Sequence, residues 1–308
     1  MMDNLAAQLG IVIGVLAACF LGPALAFLFL WRRKQHVRAK RRAPIAKELL
    51  RGPGHSLREQ LEKELVDFSF DLGILMVVPL MALTLFLAQG HLVGMEKMRH
   101  MAPIYAALAL GFVGWAVRKL WKTGTRLDNL KAGYDAELAA GQELDQLMRQ
   151  GAVVFHDFPA DNFNIDHVVI SVQGIFAVET KGFTKPKRTG GKADATVVFD
   201  GASLKFPTWT TKEPLEQADR QATWLATWAS AAIGSPVSAL PVLALPGWFV
   251  ERTGRGAVRV FNGKELAGLL NARGVRGLSL SQVQQVAHQV EQRCRTVAPR
   301  YAEAAKET

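Results

Sequence analysis

The stretch that decides the fold is NIDHVVISVQGIFAVETKG, residues 164–182. It predicts two strands, 165–172 and 175–181, because apolar and β-branched residues dominate both halves. Gln173-Gly174 between them is a two-residue connection of the tight-hairpin kind. We therefore predict an antiparallel hairpin of two buried strands.

Three charged residues interrupt this apolar hairpin. Glu179 and Lys181 share one strand face because side chains two apart point the same way, and the hairpin can place Asp166 across from them. Two neighbouring carboxylates repel unless a cation lies between them. A hard cation, Mg²⁺ or Mn²⁺, would relieve that repulsion, and Lys181 could orient a metal-bound water or help to deprotonate it. The alternative is a surface ion pair of Glu179 with Lys181, which would contribute little.

The elements around the hairpin predict an α/β domain over residues 122–308. A helix over about 130–147 carries Glu143, and a second helix begins at Pro214, a residue favoured in a first helical turn. A short strand at 152–155 and a polar loop at 157–164 precede the hairpin. Further on we expect a hairpin over 196–206, strands at 242–245 and 258–261, and helices at 264–272 and 281–297.

Three apolar runs predict a membrane anchor over residues 1–121. The runs cover about 9–31, 72–92 and 102–121, and each is long enough, or nearly so, to cross a hydrocarbon core. Basic residues follow the first run rather than precede it, which argues against a cleaved signal peptide. The positive-inside rule then places the basic segment 32–68 and the C-terminal domain in the cytoplasm, with the N-terminus outside. The alternative for this basic segment is contact with nucleic acid.

Charge and cysteine content restrict the remaining possibilities. Residues 1–121 hold 15 Lys and Arg against 8 Asp and Glu, a net of +7, whereas residues 122–308 hold 22 against 19, a net of +3. Most of the basic excess is therefore next to the predicted membrane spans. The two cysteines form no disulfide framework and no metal-binding spacing, which suits a reducing compartment.

Five short pieces resemble the nuclease-related domain (NERD) of the PD-(D/E)xK nuclease superfamily. They are Gly141-Gln142-Glu143, VFHDFP at 154–159, NIDHVVI at 164–170, GIFAVETKG at 174–182 and PLEQADRQ at 214–221. The resemblance implies a restriction-endonuclease-like fold, a mixed sheet flanked by helices. It implies that Asp166 and Glu179 bind the metal and that Lys181 is the catalytic lysine. Isoleucine stands where the superfamily's name has proline before the first acid.

The same resemblance implies roles for residues on the two helices. Glu143 would be a third acid that completes or orients the metal shell, and Gln217 would lie beside the site. Gln221, one turn later on the same helix face, is a weaker candidate. The ordinary alternatives are a solvated Glu143 and a Gln217 that is merely polar at a helix start.

Other residues invite binding roles. Four basic residues follow the lysine and could contact phosphates; they are Lys185, Lys187, Arg188 and Lys192. A solvated loop is the alternative. His156 and His167 are expected to be structural or surface residues rather than metal ligands, since His167 points away from Asp166. Trp224 and Trp228 are expected to pack in the core rather than stack on bases.

These observations predict a membrane-anchored, Mg²⁺- or Mn²⁺-dependent nuclease. It would be a multi-pass protein of the inner (plasma) membrane whose partners are nucleic acid, DNA in the first place, and the lipid bilayer. A homodimer is a further partner to test, since many enzymes of this fold class act as dimers. Two rival functions stay open: a tethered nucleic-acid-binding module without catalysis, and a protein-interaction or signalling membrane protein.

Overall fold

The computed structural model describes residues 10, 14, 21–22, 24–37, 45, 47–186, 191–272 and 276–299. The chain divides into two units. The first comprises Met1–Lys47, Glu64–Arg126 and Ala298–Thr308, and the second comprises Glu48–Lys63 and Leu127–Val297. The predicted span at 9–31 lies partly, and the tail after 299 wholly, outside the described residues.

Long helices dominate the first part of the chain. Helix α1 covers residues 24–37, α2 covers His55–Val93 and includes Pro79, α3 is the short Met95–Met98, and α4 covers Ala102–Asp145. Within the first unit α2 and α4 run antiparallel, because Lys119 Nζ lies 2.7 Å from Asp71 Oδ1 and Arg126 Nη1 lies 3.1 Å from Glu64 Oε1. By length and composition two described helices could cross a membrane, His55–His91 and Ala102–Gln150.

The third apolar run and the first helix of the α/β domain form one helix rather than two. Nothing between them breaks a helix: there is no proline, and Thr123 and Thr125 donate their hydroxyls to the carbonyls of Lys119 and Trp121. A 3-10 helix, Gln146–Gln150, ends this element at Gly151, whose φ of 85° is the left-handed conformation that glycine tolerates.

A mixed five-stranded sheet forms the centre of the second unit. Its strands are β2 Val153–Pro159, β3 Asn164–Ser171, β4 Gly174–Thr180, β8 Ala239–Leu245 and β10 Arg259–Asn262, in the spatial order β10-β8-β4-β3-β2. The predicted hairpin is β3–β4, which is antiparallel, while β4–β8 and β8–β10 are parallel. The turn is Val172-Gln173 rather than Gln173-Gly174, since Ser171 pairs with Gly174.

Helices cover both faces of this sheet. Val168, Ile170 and Ala177 pack on one face against α5, Glu213–Ile233, and α6, Leu280–Cys294. Val169, Phe176 and Val178 pack on the other face against residues of α4 and of the 3-10 helix Lys264–Asn271. The alternation of strand residues between two apolar layers is that of an α/β domain.

Smaller strands complete the second unit. The first, β1 Leu49–Leu50, pairs with β11 Arg295–Val297. A four-stranded sheet has the order β7-β6-β5-β9, built from β5 Thr196–Phe199, β6 Leu204–Lys205, β7 Thr210–Thr211 and β9 Phe249–Arg252. The predicted hairpin at 196–206 is confirmed, whereas β9 was not predicted.

Two predicted element boundaries are wrong. The polar loop predicted from 157 begins only after Pro159, because β2 continues through a bulge at Asp157: His156 pairs with His167 and Phe158 with Ile165, which leaves Asp157 unpaired. The last helix ends at Cys294, and residues 295–297 are strand because they pair with β1.

Candidate active site

The β3–β4 hairpin brings the two predicted strand acids together. His167 pairs with Val178, so one step further along this register Asp166 lies opposite Glu179. The backbone N–H of Thr180 donates to Asp166 Oδ2 at 2.6 Å, which fixes the Asp166 carboxylate at the strand end. Both acids lie on the sheet face that α5 covers.

Both oxygens of Glu179 are held by hydrogen-bond donors. Glu179 is 2% exposed, Lys181 Nζ lies 2.7 Å from its Oε1, and Gln221 Nε2 donates to its Oε2 at 2.6 Å. Gln221 Nε2 also donates to the carbonyl of Asn164 at 3.2 Å. Because both partners are acceptors, the amide nitrogen must face them, and Gln221 Oε1 is left buried with no hydrogen-bond partner among the residues that the structure describes. That oxygen is an acceptor available to a water or a ligand.

Lys181 links the strand acids to helix α5. Its Nζ donates to Gln217 Oε1 at 2.9 Å, so the structure places the predicted Gln217 at the site, one turn before Gln221. Burial acts to lower the pKa of Lys181, but the Glu179 carboxylate outweighs it, and the net pKa lies above the ordinary lysine value. Lys181 is therefore an ammonium at neutral pH.

The helix acid at the site is Glu137, not the predicted Glu143. Glu137 is 8% exposed; burial first, and then the charges of Asp157 and Glu179, raise its pKa to about 8. Glu143 follows six residues later, about 240° around the helix, and its carboxylate instead accepts a hydrogen bond from Gln146 at 3.0 Å. One sequence signal could have identified Glu137: it lies three residues before the buried Ala140, so it interrupts an apolar stripe.

Asp157 is a second carboxylate that the sequence did not reveal. It is 3% exposed, and its φ of 48° is unusual for a residue other than glycine. Arg51 Nη1 lies 3.0 Å and Ser56 Oγ 2.8 Å from Asp157 Oδ2, while Asn164 Nδ2 donates to Oδ1 at 3.2 Å. A carboxylate this deeply buried requires such partners.

The carboxyl groups of the site are close enough together to disfavour one another's ionisation. Burial, followed by the neighbouring Glu179 and Glu137, raises the pKa of Asp166 well above its ordinary value, although the Thr180 N–H opposes this. No group of three or more His, Cys, Asp and Glu side chains in the described part of the chain is arranged to hold a metal ion. Asp166 and Glu179 are oxygen donors of the kind that a hard cation such as Mg²⁺ takes, but Lys181 and Gln221 occupy both oxygens of Glu179.

The structure describes two of the four basic residues that were predicted to contact phosphates. Lys185 and Lys192 are exposed, and Lys192 Nζ lies 5.2 Å from the centroid of the Phe249 ring. Lys187 and Arg188 lie outside the described residues. Lys185 and Lys192 therefore follow Lys181 along the chain and are exposed to solvent.

The histidines lie on the other side of the sheet from the acids. His156 and His167 face each other through their Nδ1 atoms at 2.9 Å, and His156 Nε2 lies 3.0 Å from Asp145 Oδ1. Burial lowers the pKa of both histidines. Trp224 and Trp228, both on α5, stack with ring centroids 6.1 Å apart. They pack against the apolar core between α5 and the sheet.

The second unit is thus an α/β domain with an acid–lysine cluster at one end of a mixed sheet. Residues 132–246 match the family model of NERD, the nuclease-related domain. This match supports the assignment of a nuclease-related domain to that part of the chain, and it contains Glu137, Asp166, Glu179, Lys181 and Gln217. No curated protein and no solved structure matches the chain.

Proposed function

We propose that this protein is a membrane-anchored, metal-dependent nuclease that hydrolyses phosphodiester bonds of nucleic acid, with DNA as the first substrate to test. The observation that carries the proposal is the contact of Lys181 with Glu179, opposite Asp166, within a region that matches a nuclease-related domain. An acid pair beside a partly exposed ammonium suits a site that must bind a phosphate and a cation together.

Asp166 and Glu179 would hold Mg²⁺ or Mn²⁺, with Glu137 near enough to influence the charge of the site. When bound, the cation stabilises negative charge on a phosphate oxygen. Lys181, charged at neutral pH, attracts the phosphate and donates a hydrogen bond to a water oxygen, and Gln217 fixes the direction of its Nζ. Glu137, whose pKa burial raises to about 8, would respond to the bound cation, because a nearby positive charge favours the ionised carboxylate.

The nucleic acid would be bound through its backbone by the basic residues that follow the catalytic strand. Residues 181–212 hold seven Lys and Arg against two Asp, a net of +5, which exceeds the +3 of residues 122–308 as a whole. Lys185 and Lys192 are exposed and free to approach phosphates, whose neutralisation drives sequence-independent binding. Lys187 and Arg188 belong to the same basic stretch of sequence, and we propose phosphate contacts for them too.

The anchor would use the apolar helices of the first unit. In the most apolar part of His55–His91 no residue is buried. In the most apolar part of Ala102–Gln150, 6% of the residues are buried. A core helix of a soluble domain would be covered, so these exposed apolar faces support a position in lipid. With a span at 9–31 the proposed protein crosses the plasma membrane three times, N-terminus outside and nuclease domain in the cytoplasm.

The test uses the full chain in detergent micelles. Supercoiled plasmid, single-stranded DNA and RNA are incubated with Mn²⁺, Mg²⁺ or EDTA, alongside Glu179→Gln and Lys181→Met. We expect metal-dependent cleavage that both substitutions reduce by at least about a hundredfold. Cleavage that persists in EDTA or in Glu179→Gln would contradict the proposal.

One observation favours a second function, a tethered nucleic-acid-binding module without catalysis. Both Glu179 oxygens are already occupied by Lys181 and Gln221, so a metal ion must displace a donor to reach this carboxylate. A gel shift of DNA that is unaffected by EDTA, with no cleavage in any metal, would establish this function instead.

A further inference from the structure

The segment Leu49–Ser56 lies outside the nuclease-related match but belongs to the same unit as the candidate site. It is fixed to the domain by main-chain pairing, since Leu49 pairs with Val297 and Arg51 N donates to the carbonyl of Cys294 at 3.1 Å. Helix α2 begins at its end, at His55. Residues 57–131, 75 in all, separate it from the start of the matched region at 132.

Of the three side chains in the described residues that hold Asp157, this segment provides two. Arg51 Nη1 and Ser56 Oγ both contact Asp157 Oδ2, at 3.0 and 2.8 Å. Asp157 lies on a bulge with a left-handed backbone, a conformation that costs free energy and persists only where the surroundings enforce it. Arg51 and Ser56 are part of those surroundings.

A series of hydrogen bonds connects Ser56 with Glu179, one of the two proposed metal ligands. Asn164 Nδ2 donates to Ser56 Oγ at 2.7 Å, and the Asn164 carbonyl accepts from Gln221 Nε2 at 3.2 Å. The same Gln221 nitrogen donates to Glu179 Oε2 at 2.6 Å. Asn164 is also the first residue of β3, two positions before Asp166, so its placement affects both strand acids.

The turn before α2 also contacts the helix acid. The backbone N–H of Gly54 donates to the Glu137 carboxyl group. Gly54 has φ +66°, and a Cβ atom there would lie 2.7 Å from Cδ2 of Tyr134, so only glycine permits this approach. The segment therefore touches the site at two independent points.

We propose that Arg51 and Ser56 are positioning residues of the active site, which orient Glu179 through Asp157, Asn164 and Gln221. The inference rests on the proposed function. It also makes the catalytic unit discontinuous in sequence, because residues 48–63 belong to it although the family match covers only 132–246. A role in folding alone would give these residues the same contacts, so the test needs a measurement that folding does not affect.

The experiment uses the full chain in detergent, with Ser56→Ala, Ser56→Thr, Arg51→Met and Arg51→Lys. Arg58→Met is the matched control, because Arg58 is exposed on the same helix and pairs only loosely with Glu62 at 3.7 Å. Cleavage of plasmid with Mn²⁺ gives kcat and KM well below the unfolding temperature, and calorimetry gives the Kd for Mn²⁺.

We expect Ser56→Ala and Arg51→Met to lower kcat about tenfold and to weaken Mn²⁺ binding several-fold, with KM for DNA within about twofold of the wild type. Ser56→Thr, which retains the hydroxyl, and Arg51→Lys, which retains the charge, should recover most of the loss. The control should match the wild type. Unchanged kcat and Mn²⁺ affinity with a lower Tm would overturn the inference and leave a structural role.

The Mn²⁺ measurement separates this inference from the proposed function. If the wild type binds Mn²⁺ but cleaves nothing, the nuclease proposal fails, and weaker Mn²⁺ binding in Ser56→Ala still supports positioning of Glu179. Equal Mn²⁺ affinity in wild type and variants would then overturn the inference. A wild type that neither cleaves nor binds Mn²⁺ overturns both.

Discussion

Lys181 Nζ lies 2.7 Å from Glu179 Oε1, and the two side chains share one face because they are two residues apart along an extended strand. The Glu179 side chain is 3% exposed and that of Lys181 is 23% exposed. A carboxylate so deeply buried depends on its cation, since breaking a buried pair leaves an uncompensated charge. The contact therefore serves stability as well as the proposed chemistry.

Removal of the lysine charge should reveal both roles. Lys181→Met should abolish cleavage and lower the free energy of unfolding by about 2 kcal/mol, less than for a fully buried pair because Lys181 is partly exposed. Thermal unfolding in detergent, followed by near-UV circular dichroism, measures the stability. Lys185→Met is the matched control, because Lys185 is exposed, and its Tm should equal that of the wild type. Equal Tm values for both variants would show that the buried pair contributes nothing net.

Glu137 and Glu143 provide a matched pair on one helix. Glu137→Gln should reduce cleavage at least tenfold, because Glu137 is buried among the site carboxylates, whereas Glu143→Gln should leave cleavage unchanged. The rate of plasmid cleavage with Mn²⁺ measures both. The reverse ranking would restore the role that the sequence predicted for Glu143.

The same pair tests the ionisation of Glu137. Its folded-state pKa, about 8, lies above its ordinary value of 4.5, so the folded chain binds the proton more tightly than the unfolded chain. Its contribution to stability is therefore complete below about pH 4.5 and is lost as pH rises through 8, at about 1.4 kcal/mol per unit of pKa difference. Chemical unfolding at pH 6 and pH 9 should show this loss in the wild type and in Glu143→Gln, and a smaller loss in Glu137→Gln. Asp166, whose pKa is raised too, accounts for the loss that remains.

The strand part of the site could be predicted from sequence because its geometry is local. A period of two fixes Glu179 beside Lys181, and a tight hairpin fixes Asp166 opposite Glu179, so three residues within 16 positions define the centre. The helix acid could not be chosen this way, because six positions along a helix rotate the side chain by about 240°, away from the site. The long-range contacts could not be predicted from local patterns. Asp157 contacts Arg51, which lies 106 residues earlier in the chain, and it occupies a bulge in β2 that the sequence does not indicate.

The histidine pair should give the protein a stability loss in acid. Burial lowers the pKa of His156 and His167, so below about pH 6.5 the unfolded chain binds protons that the folded chain does not, and stability falls as pH decreases. His167→Asn keeps a polar group near His156 Nδ1 but does not titrate, so the fall in Tm from pH 7 to pH 5 should be smaller than in the wild type. His288→Asn is the control, because His288 is exposed on α6. A fall of equal size in all three proteins would contradict the assignment of this effect to the pair.

A divalent cation should stabilise the protein in a pH-dependent way. Binding to the folded state alone at ten times Kd contributes about 1.4 kcal/mol, and Mn²⁺ must compete with protons on the carboxyls of Asp166 and Glu137, whose pKa values are raised. The increase in Tm caused by Mn²⁺, read from tryptophan fluorescence, should therefore be larger at pH 8.5 than at pH 6. Glu179→Gln should lose most of this increase, and Glu143→Gln should retain it. An increase that does not depend on pH, or that survives in Glu179→Gln, would place the Mn²⁺ site elsewhere on the protein.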